Sequence, residues 1–249
     1  MIDSTLFYPI AVIALLIVGI SKSGFGGGLG VLAVPLMSLI IPPPQAAAIL
    51  LPLLIVMDWF TVWHYRKSWD KRNLAILLPA AVVGIVLGSL FFRYLTDAHI
   101  RILVGVLAIL FVANYFLKRQ NIKPHRADIP RGLLWGTVAG FTSFGVHAGG
   151  PPVNIYVLPQ RLEKSIFVGT TVVFFTIVNL IKVLPYMMLG QFSTGNLLTS
   201  AILAPLAPVG VWLGVKLHHK VNEKLFYTLC YIFLFITGLK LLHDGLRGL

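Results

Sequence analysis

Seven long stretches of this chain carry almost no charge: residues 5–21, 45–63, 74–92, 100–117, 166–189, 197–215 and 225–242. Each is long enough to cross, or nearly cross, a hydrocarbon layer about 30 Å thick. Hydrophobic residues make up 57% of the chain and charged residues 11%, against about a quarter charged in a soluble domain. So apolar a chain cannot cover itself with polar groups in water. The expected class is an all-α integral membrane protein in a lipid bilayer. The first run is read as part of the fold and not as a signal peptide. Only Asp3 precedes it where a basic region would stand, and no small-residue cleavage site follows.

The net charge of +12 sits in short loops between the apolar runs. Those loops lack the aromatic interleaving of a nucleic-acid surface, so no nucleic-acid partner is expected. The single cysteine, Cys230, excludes an intrachain disulfide and a CxxC metal site. No HExxH, GxSxG or Walker-type loop is present, and residues 26–30 resemble a phosphate loop in composition only. The expectation is no enzyme, no cofactor and no metal.

The chain also reads twice. Gly19-Ile-Ser-Lys-Ser-Gly24-Phe-Gly-Gly-Gly28 returns 121 positions later as Gly140-Phe-Thr-Ser-Phe-Gly145-Val-His-Ala-Gly149. Pro79, Gly84 and Gly88 return 126 positions later as Pro205, Gly210 and Gly214. Internal repeats in a membrane chain point to a transporter whose site lies between the halves.

Lysine and arginine mark the cytoplasmic loops. Four clusters hold fourteen of the twenty basic residues: 66–72, 118–131, 161–164 and 216–224. Residues 42–45 and 191–196 hold none. With the rich loops inside, helices run at 45–65, 73–92 and 99–117, then at 165–189, 197–215 and 225–243, with both termini periplasmic. Residues 5–41 and 131–160 must then enter and leave by one face. Each is a helical hairpin broken by glycine, with its arms either crossing fully or re-entrant. The expected organisation is repeat 1 over 5–118, a basic cytoplasmic linker over 119–130, and repeat 2 over 131–245, inverted relative to each other.

A break in a helix at membrane depth must be buried in protein or line a cavity. Pro151 and Pro152 follow the second glycine turn directly, and proline suits a first helical turn. A helix is expected to restart there, and near Leu29 or Val31 in the first copy. Free amides and the positive end of the helix dipole make each restart an anion site. For Gly84, Gly88, Gly210 and Gly214 the simpler reading is close helix packing.

Ionisable groups inside apolar runs are costly and default to functional hypotheses. Lys22, Asp58, His147 and Lys182 are the four that stand out. The 121 shift pairs Asp58 with Asn179 and Thr61 with Lys182. Each has a structural alternative. Lys22 and Lys182 can snorkel to an interface, Asp58 can sit beside an interfacial belt of Trp59, Trp63 and Tyr65, and His147 can be a satisfied polar group. Together with the two helix starts, the lysines favour an anion, and Asp58 or His147 is placed to carry a coupled proton.

Gly24-Phe-Gly-Gly-Gly-Leu-Gly30 followed by Val34-Pro35-Leu36, then Gly149-Gly150-Pro151-Pro152-Val153-Asn154, then Gly169-Thr170-Thr171 with Asn179, Lys182 and Tyr186, resemble the sulfite exporter TauE/SafE family, also called the toluene sulfonate uptake permease family. The likeness runs from about residue 9 to 245. It implies secondary, proton-coupled transport of a small sulfur-containing anion (sulfite, sulfoacetate, thiosulfate or another organosulfonate) across the bacterial inner membrane, with export as the direction.

The expected mechanism is alternating access around an anion held between the hairpin tips. Ser23, Gly27, Gly28, Leu29, Ser143, Gly149, Gly150, Pro151, Pro152, Val153, Asn154 and Lys182 are the expected substrate contacts. Lys22, Asp58, His147 and Asn179 are expected to couple or to line the cavity. An anion channel and a non-transporting membrane subunit or sensor stand as alternatives, and a homo-oligomer is left open.

Overall fold

A computed structural model of the chain describes residues 6–24, 27, 30–117, 126–217 and 223–249. Gly28, Leu29 and the cores of two basic clusters, 118–125 and 218–222, lie outside the described residues. Every regular element described is helical: α1 (Phe7–Gly24), a 3₁₀ turn (Gly30–Leu32), α2 (Ala33–Met37), α3 (Pro43–Tyr65), α4 (Lys71–Phe92), α5 (Asp97–Leu117), α6 (Ile129–Val146), α7 (Gly150–Val157), a second 3₁₀ turn (Leu158–Gln160), α8 (Lys164–Met188), α9 (Thr194–Leu203), α10 (Leu206–Leu217) and α11 (Glu223–Arg247). Five of them, α1, α3, α4, α5 and α8, are long and apolar enough to cross a membrane, and the pair α9–α10 makes a sixth.

The surface is apolar and polar groups lie inside. Val83, Val86 and Leu90 on α4, Leu110 on α5, Leu184 on α8 and Ile236 on α11 are all exposed. Eighteen polar or charged side chains are buried among the described residues, Lys182 completely. Water would not tolerate so much exposed apolar surface, whereas lipid matches it. The chain is a multi-pass membrane protein.

Helix starts follow local chemistry. Asp70 caps α4 by accepting from the Asn73 amide at 2.7 Å, and Ser193 caps α9 by accepting from the Asn196 amide at 3.3 Å. These satisfy amides that the first turn would otherwise leave unpaired. The expected single helix over 197–215 is instead two, bent by 42° between Leu203 and Leu206. Pro205 lies in that gap. It has no N–H to give, and its ring crowds the preceding turn. Pro79, its counterpart in the repeat, sits inside an unbroken α4.

Packing partners exchange between the two copies. Helix α1 packs on α10 and α4 on α6, while α3 meets α8 and α5 meets α11. The glycines make the first two contacts possible. A Cβ on Gly84 would collide with the Thr137 carbonyl of α6, and one on Gly214 would collide with Ser23 of α1.

Candidate functional site

Helices α1 and α6 end in the same way. The Gly27 amide donates to Ser21 O at 3.0 Å, and 121 positions later the Ala148 amide donates to Thr142 O at 3.1 Å. This bond, from an amide to the carbonyl six residues back, ties off the last turn of each helix. Gly27 takes a left-handed φ of 74°. The second turn puts His147 in the left-handed region, at φ 54°. A residue with a Cβ costs roughly 1–2 kcal/mol there relative to the right-handed helix. Glycine would avoid that cost, so the imidazole itself is what this position keeps.

The two turns face one small pocket of about 40 Å³. Its walls include Lys22, Gly27, Ser143, His147, Gly150 and Asn179 from the expected set, with Gly30 and Phe175 added. A buried water needs about 10–15 Å³ on this measure, so the cavity has room for two or three waters. Phe175 of α8 was not foreseen. Its ring stands 3.9 Å from a Cβ built on Gly27 and 2.9 Å from one built on Gly149, so it fills the space between the turns. Nothing in an apolar run distinguishes such a phenylalanine from ordinary packing.

One side of the site is a closed charge set. Lys22 Nζ lies 2.6 Å from Asp58 Oδ1, and Asn179 Nδ2 donates to Asp58 Oδ2 at 2.7 Å. Lys22 does not snorkel, since its side chain is 7% exposed. Asp58 does not join the interfacial belt either. It is 1% exposed, whereas Trp59 and Trp63 on the outer face of α3 are 77% and 68% exposed. Asp58 and Asn179 are the residues paired by the 121 shift, and here they touch.

The other side carries a cation without an anion. Lys182 is 0% exposed. Its ammonium donates to Ser143 O at 3.0 Å and to Ser143 Oγ at 3.1 Å, and reaches His147 Nδ1 at 2.7 Å. An ammonium has only donors, so Nδ1 must accept. The ring proton then sits on Nε2, which donates to Ala47 O at 2.9 Å. His147 is thereby a neutral imidazole of fixed tautomer. No carboxylate contacts Lys182 among the described residues. Its three hydrogen bonds satisfy its protons but do not neutralise its charge, and a buried charge left unpaired is costly.

Several expected contacts are corrected. Ser23 points away from the cavity, and its hydroxyl lies 2.8 Å from Gly19 O and 2.9 Å from Val211 O on α10. The Gly27 amide is spent on Ser21 O, and the Val153 amide is spent on Gly149 O at 3.3 Å. Pro151 and Pro152 have no amide to offer. The backbone donors remaining at the second turn are those of Gly149 and Gly150. Pro151, Pro152 and Val153 are buried behind the wall. Asn154 is not on the cavity wall. Its Oδ1 is buried without a hydrogen-bond partner among the described residues. Lys182 stands just behind the wall formed by Ser143 and His147.

Above this layer lies a larger vestibule of about 280 Å³, lined by Pro44, Ala47, Phe92, Arg93, Ile100, Phe144, Gly145, Tyr186, Leu189 and Gln191. A thin septum separates the two spaces. His147 bonds to Ala47 O, its ring centroid lies 6.3 Å from that of Tyr186, and Tyr186 Oη donates to Phe144 O at 2.6 Å.

A multi-pass helical protein with broken helices meeting at a buried, charged centre has the build of a membrane transporter. The chain belongs to the sulfite exporter TauE/SafE family, whose family model matches residues 11–241. That family comprises membrane transporters of the sulfite-exporter type. No curated protein and no solved structure matches the chain.

Proposed function

We propose that this protein is a secondary transporter moving a small sulfur-containing anion across the bacterial inner membrane by alternating access. The observation that carries the reading is Lys182. It is a fully buried lysine that no carboxylate contacts among the described residues, one side chain behind a cavity bounded by both glycine turns. An anion in that cavity supplies the missing charge, and the amides of Gly149 and Gly150 supply directed donors. The separation of cavity and vestibule by the His147 septum supports a transporter over an open anion channel.

The two halves, 5–118 and 131–245, are read as inverted repeats with both termini periplasmic. The exchange of helix partners supports a two-fold relation between them. On this orientation the vestibule faces the periplasm. The cytoplasmic face is held by Asn73 and Gln160, whose amides bond reciprocally at 2.9 and 3.0 Å. Export is the direction proposed.

Coupling to a proton follows from the tautomer. A proton taken up by His147 must enter at Nδ1, the atom that Lys182 occupies. Proton uptake therefore expels the ammonium from its seat toward the cavity.

Flux of sulfite and of sulfoacetate into proteoliposomes tests this reading. Saturable flux that responds to a pH gradient is expected. Lys182→Ala should abolish it, and Gly150→Leu should reduce it at least tenfold by filling the cavity. Unchanged flux in both variants would place the site elsewhere.

A further inference from the structure

The vestibule has a chemistry of its own, and Arg93 is its centre. Basic residues are scarce outside the four cytoplasmic clusters, and the others that the structure describes have structural employment or sit at the far C-terminus. Lys22 pairs with Asp58, and Lys182 is held by Ser143 and His147. Arg101 donates to Ser38 O at 2.6 Å, and Lys240 pairs with Asp244 at 2.8 Å. Arg93 is different. Its guanidinium makes no hydrogen bond or ion pair among the described residues, and it is exposed on the wall of the vestibule. Among the described residues no acidic side chain lines that space, and Gln191 is the only other polar one there apart from the Tyr186 phenol. The remaining walls are apolar, with Phe92, Phe144, Ile100 and Leu189 prominent. The volume lies just below the usual range for small-molecule pockets, about 300–1,000 Å³.

We propose that the vestibule is a second, outer binding site for a monoanion carrying an apolar group, its charged head on Arg93 and Gln191 and its body against the phenylalanines. This rests on the reading of the chain as an anion transporter and adds a selecting step outside the septum. The central cavity, at about 40 Å³, offers no room for such a body in this state. The vestibule does. A bare inorganic anion would gain only the Arg93 and Gln191 contacts and would leave the apolar wall wet, so the site discriminates by the apolar group. Anion recognition by a guanidinium is directional and retains its charge at any working pH.

The test is equilibrium binding of radiolabelled benzenesulfonate and of radiolabelled sulfite to the full-length protein in lipid nanodiscs. Arg93→Gln should weaken benzenesulfonate about tenfold with its melting temperature unchanged, because Arg93 is exposed and unpartnered. Leu189→Asn should weaken benzenesulfonate about threefold and leave sulfite within twofold. Benzenesulfonate binding within twofold of wild type in both variants would overturn the proposal. So would an equal loss for both probes in Leu189→Asn. Lys182→Ala separates the two readings. If it retains sulfite flux while Arg93→Gln still weakens benzenesulfonate, the central site falls and the vestibule site stands.

Discussion

Helices α1 and α6 are both 18 residues long, and both finish on a backbone bond that reaches six residues back. Beyond that bond they part. The first carries its cation, Lys22, against a carboxylate supplied by α3. The second meets its cation, Lys182 of α8, with a serine and a neutral histidine. One side of the cavity is therefore neutral in sum and the other is positive. Two helix ends share one backbone geometry while their charged partners differ. That inequality gives the centre a sign: a balanced pair on both sides would hold the helices together equally well but would have no reason to attract an anion.

The largest expected effect comes from breaking the balanced side. Asp58→Ala strands Lys22 in a buried position and removes the acceptor of the Asn179 amide. Losing one member of a buried pair costs about 3–5 kcal/mol, so a large fall in melting temperature and poor recovery of folded protein are expected. The double variant Lys22→Met with Asp58→Leu should recover most of that loss, because no uncompensated charge remains. Lys182→Met should behave oppositely to Asp58→Ala. It removes a charge that had no partner, so its melting temperature should hold or rise while anion binding disappears. A Lys182→Met protein as unstable as Asp58→Ala would erase the contrast between the two sides.

A smaller effect is expected at His147. Glycine is the residue that a left-handed helix end prefers. On backbone grounds alone, His147→Gly should stabilise the protein. It also takes the acceptor from Lys182 and the donor from Ala47 O, and a buried group left unsatisfied costs about 1–3 kcal/mol. The net expectation is a modest loss of stability, together with loss of pH dependence in proteoliposome flux. A gain in stability with pH dependence intact would show that the imidazole serves neither Lys182 nor a proton.

Much of this centre was legible in the chain, and the parts that were not share a cause. The glycine turns and the four intramembrane ionisable groups stand out by position along the chain, and the 121 shift matches Asp58 with Asn179, whose contact only the structure shows. Lys182 lies three residues beyond Asn179, so helical period alone puts the two on one face. Rotation of one helix against another does not follow from position. Ser23 sits one residue before a glycine turn, yet it faces α10 because Gly214 leaves a hollow there. The bend at Pro205 and the straight run through Pro79 come from the same residue type in repeat-related places. Neighbouring helices, not local propensity, decide between them. The amide pairs at the two faces were invisible for a similar reason. Asn73, Gln160, Gln45 and Asn196 stand near helix ends, where polar residues are expected in any case.

Those amide pairs supply the smallest and most direct test of the comparison. Asn73 and Gln160 exchange two hydrogen bonds at 2.9 and 3.0 Å. At the opposite face, Gln45 gives a single bond of 3.1 Å to Asn196 Oδ1. Asn73 and Asn196 hold matching places, each the third residue after its capping side chain. On the proposed orientation the doubly bonded pair closes the cytoplasmic face and the singly bonded pair stands beside the vestibule. A net hydrogen bond contributes about 1 kcal/mol. Removing two by Asn73→Ala should shift the balance away from the state described by about 2 kcal/mol, and removing one by Gln45→Ala should shift it by about half as much in the same sense. Leu189→Cys, placed in a background with Cys230 replaced by serine, reports the outward state through its labelling rate with a membrane-impermeant thiol reagent. Asn73→Ala should slow that labelling, and Gln45→Ala should slow it less, since both bonds belong to the one state described. If Asn73→Ala accelerates labelling, the doubly bonded pair is not the inner closure, and the assignment of inner and outer faces must be reversed.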